Sequence, residues 1–205
     1  MSRRSAIPAL LAPLALAAAA LVAGCSTTYQ LPPAILANVQ GTATLYALTG
    51  TTLTEPSAYS VCGEPCNAGA TPTVVRTDRS SGFDFAFDVR VDTTKHDTAA
   101  VLLPRGAVGL YMDGGLQVSS QPFDSITHAP ASGYQDSLPV PIQVGTVVLA
   151  ASRSVTCNFS YTYPIYGKLE VTALDKVART VTLKLLIDTN CGYFSLRADS
   201  LPPTF

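Results

Sequence analysis

The sharpest hydrophobic pattern in the chain is a strict alternation from Phe83 to Asp92. The apolar set is Phe83, Phe85, Phe87, Val89 and Val91, and the other set is Asp84, Ala86, Asp88, Arg90 and Asp92. A period of two residues over this length predicts a β-strand with one buried face and one face in water. Asp84 and Asp88 would lie ~13 Å apart along such a strand, too far for one metal ion or an acid–base pair. We therefore expect the polar set to be a solvated face.

Apolar segments of strand length, separated by turn residues, recur along the chain after residue 38. The most persuasive pair is Lys168–Leu174 and Thr180–Ile187, which alternate in the same way and flank a turn that begins at Asp175. Further strands are predicted at 39–48, 53–61, 73–76, 99–103, 108–112, 116–119, 146–152, 159–163 and 192–197. About ten short strands and no convincing helix predict an all-β fold, either an antiparallel β-sandwich or a barrel.

Residues 120–145 are the longest stretch without such a pattern. This stretch is interrupted by Pro122, Pro130, Pro139 and Pro141, and proline cannot donate the hydrogen bond that a central strand requires. A structureless stretch of this length inside a small domain is usually either functional or disordered. This Pro-rich loop is therefore the first place where we expect a binding surface.

The charge balance excludes one class of partner. The chain has 13 basic and 14 acidic residues, with a net charge of −1. The basic residues are not clustered, whereas a nucleic-acid interface needs a basic patch or stripe. We therefore expect no nucleic-acid partner.

The first 24 residues have the layout of a secretory signal peptide. Arg3 and Arg4 precede an apolar run over 7–22, and the small pair Ala23-Gly24 stands before Cys25. The uninterrupted apolar part, 14–23, is too short to span ~30 Å of hydrocarbon as a transmembrane helix. We therefore expect residues 1–24 to be removed.

The segment Leu21-Val22-Ala23-Gly24-Cys25 resembles the lipobox of the bacterial lipoprotein class. The resemblance implies that Cys25 is lipidated, for example with palmitate, that it is the first residue of the mature chain, and that the membrane is a partner through this anchor. Residues 25–38, which include Pro32-Pro33, are then a tether, and 39–205 form one β-rich domain. The location implied is the cell envelope, and Ser26 resembles the outer-membrane signal of Gram-negative members.

With Cys25 assigned to lipid, four cysteines remain: Cys62, Cys66, Cys157 and Cys191. An even number in an oxidising compartment predicts two disulfides. Three pairings are open, and we favour Cys62–Cys66, across a Gly-Glu-Pro turn, and Cys157–Cys191, which the predicted hairpin brings together. A four-thiolate zinc site is disfavoured because the spacing lacks paired two-residue knuckles.

The best binding candidate is an aromatic row made of Phe159, Tyr161, Tyr163 and Tyr166. If exposed, this row is a platform for sugar rings or a partner protein; if buried, it is ordinary core packing, which we favour. His96 and His128 are the only histidines, and neither accompanies a nucleophile motif, so we expect no catalytic residues, no metal, no cofactor and no hydrolase activity.

The segment Arg76-Thr77-Asp78 followed by Gly82-Phe83-Asp84-Phe85 resembles one edge of carboxypeptidase-regulatory (transthyretin-like) domains. The resemblance favours an immunoglobulin-like sandwich. Two functions stay open: a non-catalytic envelope lipoprotein that is structural or binds an envelope protein or glycan, and a lipoprotein that binds a small ligand or carbohydrate.

Overall fold

The computed structural model describes residues 33–92, 97–158, 161–198 and 201, and these contain ten β-strands and two 3₁₀ turns. The strands are β1 Val39–Tyr46, β2 Ala58–Ser60, β3 Thr73–Val75, β4 Phe85–Asp92, β5 Asp97–Pro104, β6 Gly115–Ser119, β7 Val140–Pro141, β8 Val147–Asn158, β9 Tyr161–Asp175 and β10 Thr180–Asp188. Sheet 1 has the order β1-β10-β9-β8-β6 and sheet 2 the order β3-β2-β4-β5-β7. The predicted antiparallel β-sandwich is confirmed, and the sheets do not close into a barrel.

The core lies between the two sheets and follows from the alternation along each strand. Phe85 and Phe87 of sheet 2 are fully buried against Leu45, Leu169 and Leu183 of sheet 1. Burying large side chains of this kind contributes about 1.5 to 3 kcal/mol each. The hairpin predicted around Asp175 is present as the β9–β10 pair.

The outer face of sheet 2 is covered as well, so the solvated face predicted for β4 is wrong. Ala86 packs with Val101 and Leu103 under Leu110, and it is completely buried. Asp84 and Asp88 are each only 3% exposed, whereas Val91 from the apolar set is 69% exposed. The residues that cover this face of β4 lie in other segments of the chain, so the alternation within β4 alone does not reveal them.

Three further segments differ from their predictions. Residues 108–112 are not a strand, because a 3₁₀ turn at Arg105–Val108 ends at Gly109, whose φ of 79° turns the chain. Residues 192–197 contribute a single bridge, between Ser195 and His128. The segments 159–163 and 168–174, predicted as two strands, fall in one strand, β9, in its described part. This strand runs through Pro164 because β10 stops pairing at Tyr166 and only β8 accompanies β9 from Tyr161 to Ile165.

The described end of the predicted tether is attached to the domain. The N–H groups of Ile35 and Leu36 donate to Asn190 Oδ1, each at 3.1 Å, and Asn190 Nδ2 donates to Leu36 O at 2.8 Å. Asn38 is buried and donates to the carbonyls of Ser195 and Arg197. Ordered contacts therefore begin before β1.

Candidate functional site

The Pro-rich loop lies across the outer face of sheet 1. Phe123, Ile126 and Ala129 are buried there together with Tyr166 and Leu196. The stretch predicted to be structureless is thus well packed over this part, and it contains the 3₁₀ turn Phe123–Ser125 and the two-residue edge strand β7. Its exposed residues, rather than a mobile segment, form the surface around which the candidate site is built.

Lys168 of β9 fastens this loop to the sheet. Its Nζ donates to the carbonyls of Phe123 and Ile126, both at 2.8 Å, and lies 4.5 Å from the centroid of the Phe123 ring. Lys168 is 3% exposed, and its burial lowers the pKa of the ammonium group. A buried ammonium group needs such partners, and here both acceptors come from one short turn. The alternation around Lys168 predicts a strand but does not indicate this role.

A groove of about 470 Å³ lies beside the loop on sheet 1. Its polar rim is formed by Gln40, Asp124, Lys184 and Arg197, with Phe123 and Lys168 at its floor. Lys184 Nζ lies 4.2 Å from the centroid of the Phe123 ring and 3.1 Å from Asp124 Oδ1. A second carboxylate, that of Glu170, lies 3.9 Å from Lys184 Nζ. Three cationic groups and these two carboxylates leave the groove with a small positive charge and several hydrogen-bond donors.

A second groove, of about 450 Å³, lies on the other side of the loop, against β6 and β8. His128 is exposed at its edge, and its Nδ1 is 3.2 Å from Thr127 Oγ1. No hydrogen bond from His128 to a carboxylate is found among the described residues. His96 lies outside the described residues.

The aromatic row is not one surface. Tyr166 is 4% exposed and stacks on Phe194 with ring centroids 4.7 Å apart, on the outer face of sheet 1. Burial raises the pKa of Tyr166. Tyr161 and Tyr163 are half-buried, and their alternation places them on the opposite face from Tyr166. Phe159 lies outside the described residues, so a platform at Tyr161 and Tyr163 stays a prediction.

An ion pair that no sequence pattern indicates joins Arg153 of β8 to Asp84, the buried residue directly before β4. Arg153 Nε donates to Asp84 Oδ1 at 3.1 Å, and the Arg153 backbone N–H donates to the same oxygen at 2.8 Å. Asp84 Oδ2 accepts the N–H groups of Val61 at 2.6 Å and Cys62 at 3.3 Å. The register of β8 shifts between Ala151 and Ser154, and such a bulge re-aims the side chain that it carries.

Asp188 lies at the end of β10 in a second buried polar cluster. It is fully buried, and burial raises its pKa to about 6, although the backbone and side-chain N–H groups of Asn190 donate to its Oδ1 at 2.9 and 2.8 Å. Within the described part of the chain, Asp188 Oδ2, Asn38 Oδ1 and Ser195 Oγ are buried without a hydrogen-bond partner. This cluster holds the end of the tether to β10.

The raised pKa of Asp188 predicts a pH dependence of stability. The folded state binds a proton more tightly than the unfolded state, so the free energy of unfolding should fall as the pH rises from about 4 to about 6. Asp188→Asn should flatten this part of the curve, as measured by urea unfolding at a series of pH values. Asp136→Asn, at a half-buried carboxyl away from this cluster, serves as the control. An unchanged slope in Asp188→Asn would contradict the assignment.

The cysteines pair as favoured from the sequence. Disulfides join Cys62 to Cys66 and Cys157 to Cys191, with Cα–Cα distances of 4.8 and 5.5 Å. Cys25 lies outside the described residues. Among the described residues there is no group of three His, Cys, Asp or Glu side chains that could hold a metal ion, and no helix there is long and apolar enough to cross a membrane.

No protein-family model matches the chain, and neither a curated protein nor a solved structure matches it.

Proposed function

We propose that this chain is a lipid-anchored lipoprotein of the cell envelope, of the outer membrane in a Gram-negative organism, that acts without catalysis by binding an envelope partner at its surface. The observation that carries the proposal is Cys25 at the end of Leu21-Val22-Ala23-Gly24, directly after a charged and apolar leader. Two or three acyl chains hold a protein stably at a membrane, whereas one chain alone is marginal.

The proposed partner surface is the groove between the Pro-rich loop and sheet 1. The sandwich interior is filled by side chains, and this groove opens on the outside, where a segment of an envelope protein can approach. Its rim offers Lys184 and Arg197 as cationic donors and Gln40 as a neutral one. This lining favours a partner with carboxylate, phosphate or hydroxyl groups.

The anchor gives a direct prediction. Cells fed with labelled palmitate should incorporate the label into this chain, and Cys25→Ala should abolish the incorporation because the thiol that takes the diacylglycerol is gone. Ser26→Ala, one residue away, should still be labelled. The label is measured by gel electrophoresis of the immunoprecipitated chain. Label that persists in Cys25→Ala would overturn the anchor.

The alternative function is a lipoprotein that binds a small ligand or carbohydrate, and the size and polar rim of the same groove favour it. A groove of about 470 Å³ falls in the range of ligand sites. The two functions differ in what occupies the groove. Saturable NMR shifts at Lys184 and Arg197 with soluble cell-wall sugar fragments would favour the alternative.

A further inference from the structure

The outer edge of β1 is an open strand edge. Sheet 1 ends at β1, whose residues Val39–Tyr46 contain no charge and no proline. Exposed strand edges usually carry charged residues or proline, because an unprotected row of N–H and C=O groups pairs with other strands. β1 lacks these protective devices along all eight of its residues.

The hydrogen bonds at the end of β1 show which backbone groups point outward. Ala47 N–H donates toward β10, to Arg179 O at 2.9 Å, whereas Tyr46 N–H donates away from β10, to Pro56 O at 2.9 Å. Successive residues of a strand direct their backbone groups to opposite sides. Gln40, Thr42 and Thr44 therefore share the outward direction of Tyr46.

These three residues have no other backbone partner within the described part of the chain. Their side chains are exposed. Among the described residues, Pro56 accepts the outward N–H of Tyr46, and the side chain of Gln40 donates to Ala198 O at 3.0 Å, whereas no described backbone group pairs with the outward groups of Thr42 and Thr44.

The other three outermost strands of the two sheets are short or covered. β3 has three residues, and β7 has two and ends in Pro141. β6 is partly covered, since Leu116 and Gln135 exchange hydrogen bonds of 2.9 and 2.7 Å across its outer side. Of the four outermost strands, β1 is the one fitted to accept a further strand.

We propose that β1 pairs antiparallel with β1 of a second copy of this chain, about a two-fold axis at Thr42. In this register Gln40 of each copy lies opposite Thr44 of the other, and the outward N–H and C=O groups form about six backbone hydrogen bonds. The facing side chains are threonine, glutamine, glycine and alanine, so the pairing brings no like charges together.

A second copy is the occupant that the chain itself makes available. A strand that is neutral along its whole length is complementary to itself, and an isologous contact of this kind closes as a dimer. β1 begins 14 residues after Cys25, so all copies held by that anchor present this edge within ~50 Å of the membrane. The pairing depends on the proposed function in one respect: the lipid anchor supplies this local concentration of copies.

Thiol crosslinking of the full-length chain in membranes tests the register. Thr42→Cys places two thiols on opposed residues with Cα atoms ~5.5 Å apart, and a short bismaleimide should convert the chain to a covalent dimer. Thr44→Cys is the matched control, because its thiols would lie ~13 Å or more apart. We expect at least about tenfold more dimer from Thr42→Cys, given this difference in distance.

Palmitate labelling of the same samples separates this proposal from the anchor. A dimer of Thr42→Cys without label supports the pairing and contradicts the anchor. Labelled chain without a dimer, or equal dimer from both variants, overturns the pairing and points to another occupant such as the C-terminal segment.

A second variant tests the pairing without added thiols. Thr42→Pro removes an outward N–H and no β1–β10 hydrogen bond, so it should abolish the dimer seen by light scattering in detergent while the tyrosine fluorescence of the fold is kept. A dimer that survives in Thr42→Pro also overturns the pairing.

Discussion

Replacing Asp84 by alanine should lower the free energy of unfolding by about 3 to 5 kcal/mol, the usual cost of removing one partner from a buried ion pair. Asp84 is 2% exposed at its side chain and Arg153 is 16% exposed. Without the carboxylate, the partly buried guanidinium group loses its counter-charge, although it keeps its hydrogen bonds to Ser60 Oγ and Gly82 O. The N–H groups of Val61 and Cys62 also lose their acceptor. Urea unfolding followed by tyrosine fluorescence measures the loss, since the chain has nine tyrosines and no tryptophan.

Asp78→Ala is the matched control for this prediction. Asp78 also pairs with an arginine, Arg76, at 2.7 Å, but this pair is solvent-exposed, and such pairs contribute little. Asp78→Ala should therefore leave the unfolding midpoint nearly unchanged. Equal losses in the two variants would show that the inter-sheet pair is not a determinant of stability.

A double-mutant cycle makes the assignment specific to the pair. Arg153→Met should also destabilise the chain, because it leaves the Asp84 carboxylate buried without a counter-charge. The double variant Asp84→Ala/Arg153→Met should lose less than the sum of the two single losses, since each single change already removes the interaction. Strict additivity would contradict direct coupling of the two side chains.

Replacing Lys168 by alanine should release the Pro-rich loop from sheet 1 and cost about 2 to 4 kcal/mol, because two buried carbonyls would lose their donor. These are the carbonyls of Phe123 and Ile126. The groove next to the loop is built on the same contacts, so binding of any groove partner should weaken together with stability. Hydrogen exchange over 123–129 measures the release.

Lys176→Ala is the control for the loop prediction. Lys176 also donates to a backbone carbonyl, Thr98 O at 2.6 Å, but it is exposed. Its replacement should leave exchange over 123–129 unchanged. Lys168→Met, which keeps the apolar stem, should still speed exchange there, and protection equal to that of the unaltered chain would rule out the ammonium group as the fastening contact.

Several features of the fold could be predicted from patterns among residues that are close in sequence. Period-two alternation predicted β4 and the β9–β10 hairpin, because side chains on a strand point alternately to its two faces. The cysteine pairing followed from a tight turn between Cys62 and Cys66 and from the hairpin that returns Cys191 to Cys157. Each of these inferences uses neighbours along one strand or across one turn.

The sequence pointed to the Pro-rich loop as a binding surface, but the side chains that form the candidate site beside it could not be predicted in this way. Tyr166 was grouped with Tyr161 and Tyr163 because they are close in sequence. It lies an odd number of residues from each of them along β9, so its side chain points to the opposite face of the sheet. Lys168 gained its role from a loop about forty residues away, and Asp84 from a bulge 69 residues away. Which polar side chains are buried depends on the segments that cover them, and local sequence does not encode these.

The sequence by itself predicted the all-β composition of the domain and favoured the two disulfides that the structure contains, and it holds the charged and apolar segment before Cys25 on which the proposed anchor rests. Tertiary structure decided the rest: part of the outer face of each sheet is covered, Asp84 and Lys168 are buried with partners, the Pro-rich loop forms the wall of a groove, and β1 is left at an open edge. The reason is physical. Alternation and turns are set by neighbouring residues, whereas burial and edge exposure depend on which distant segments pack together.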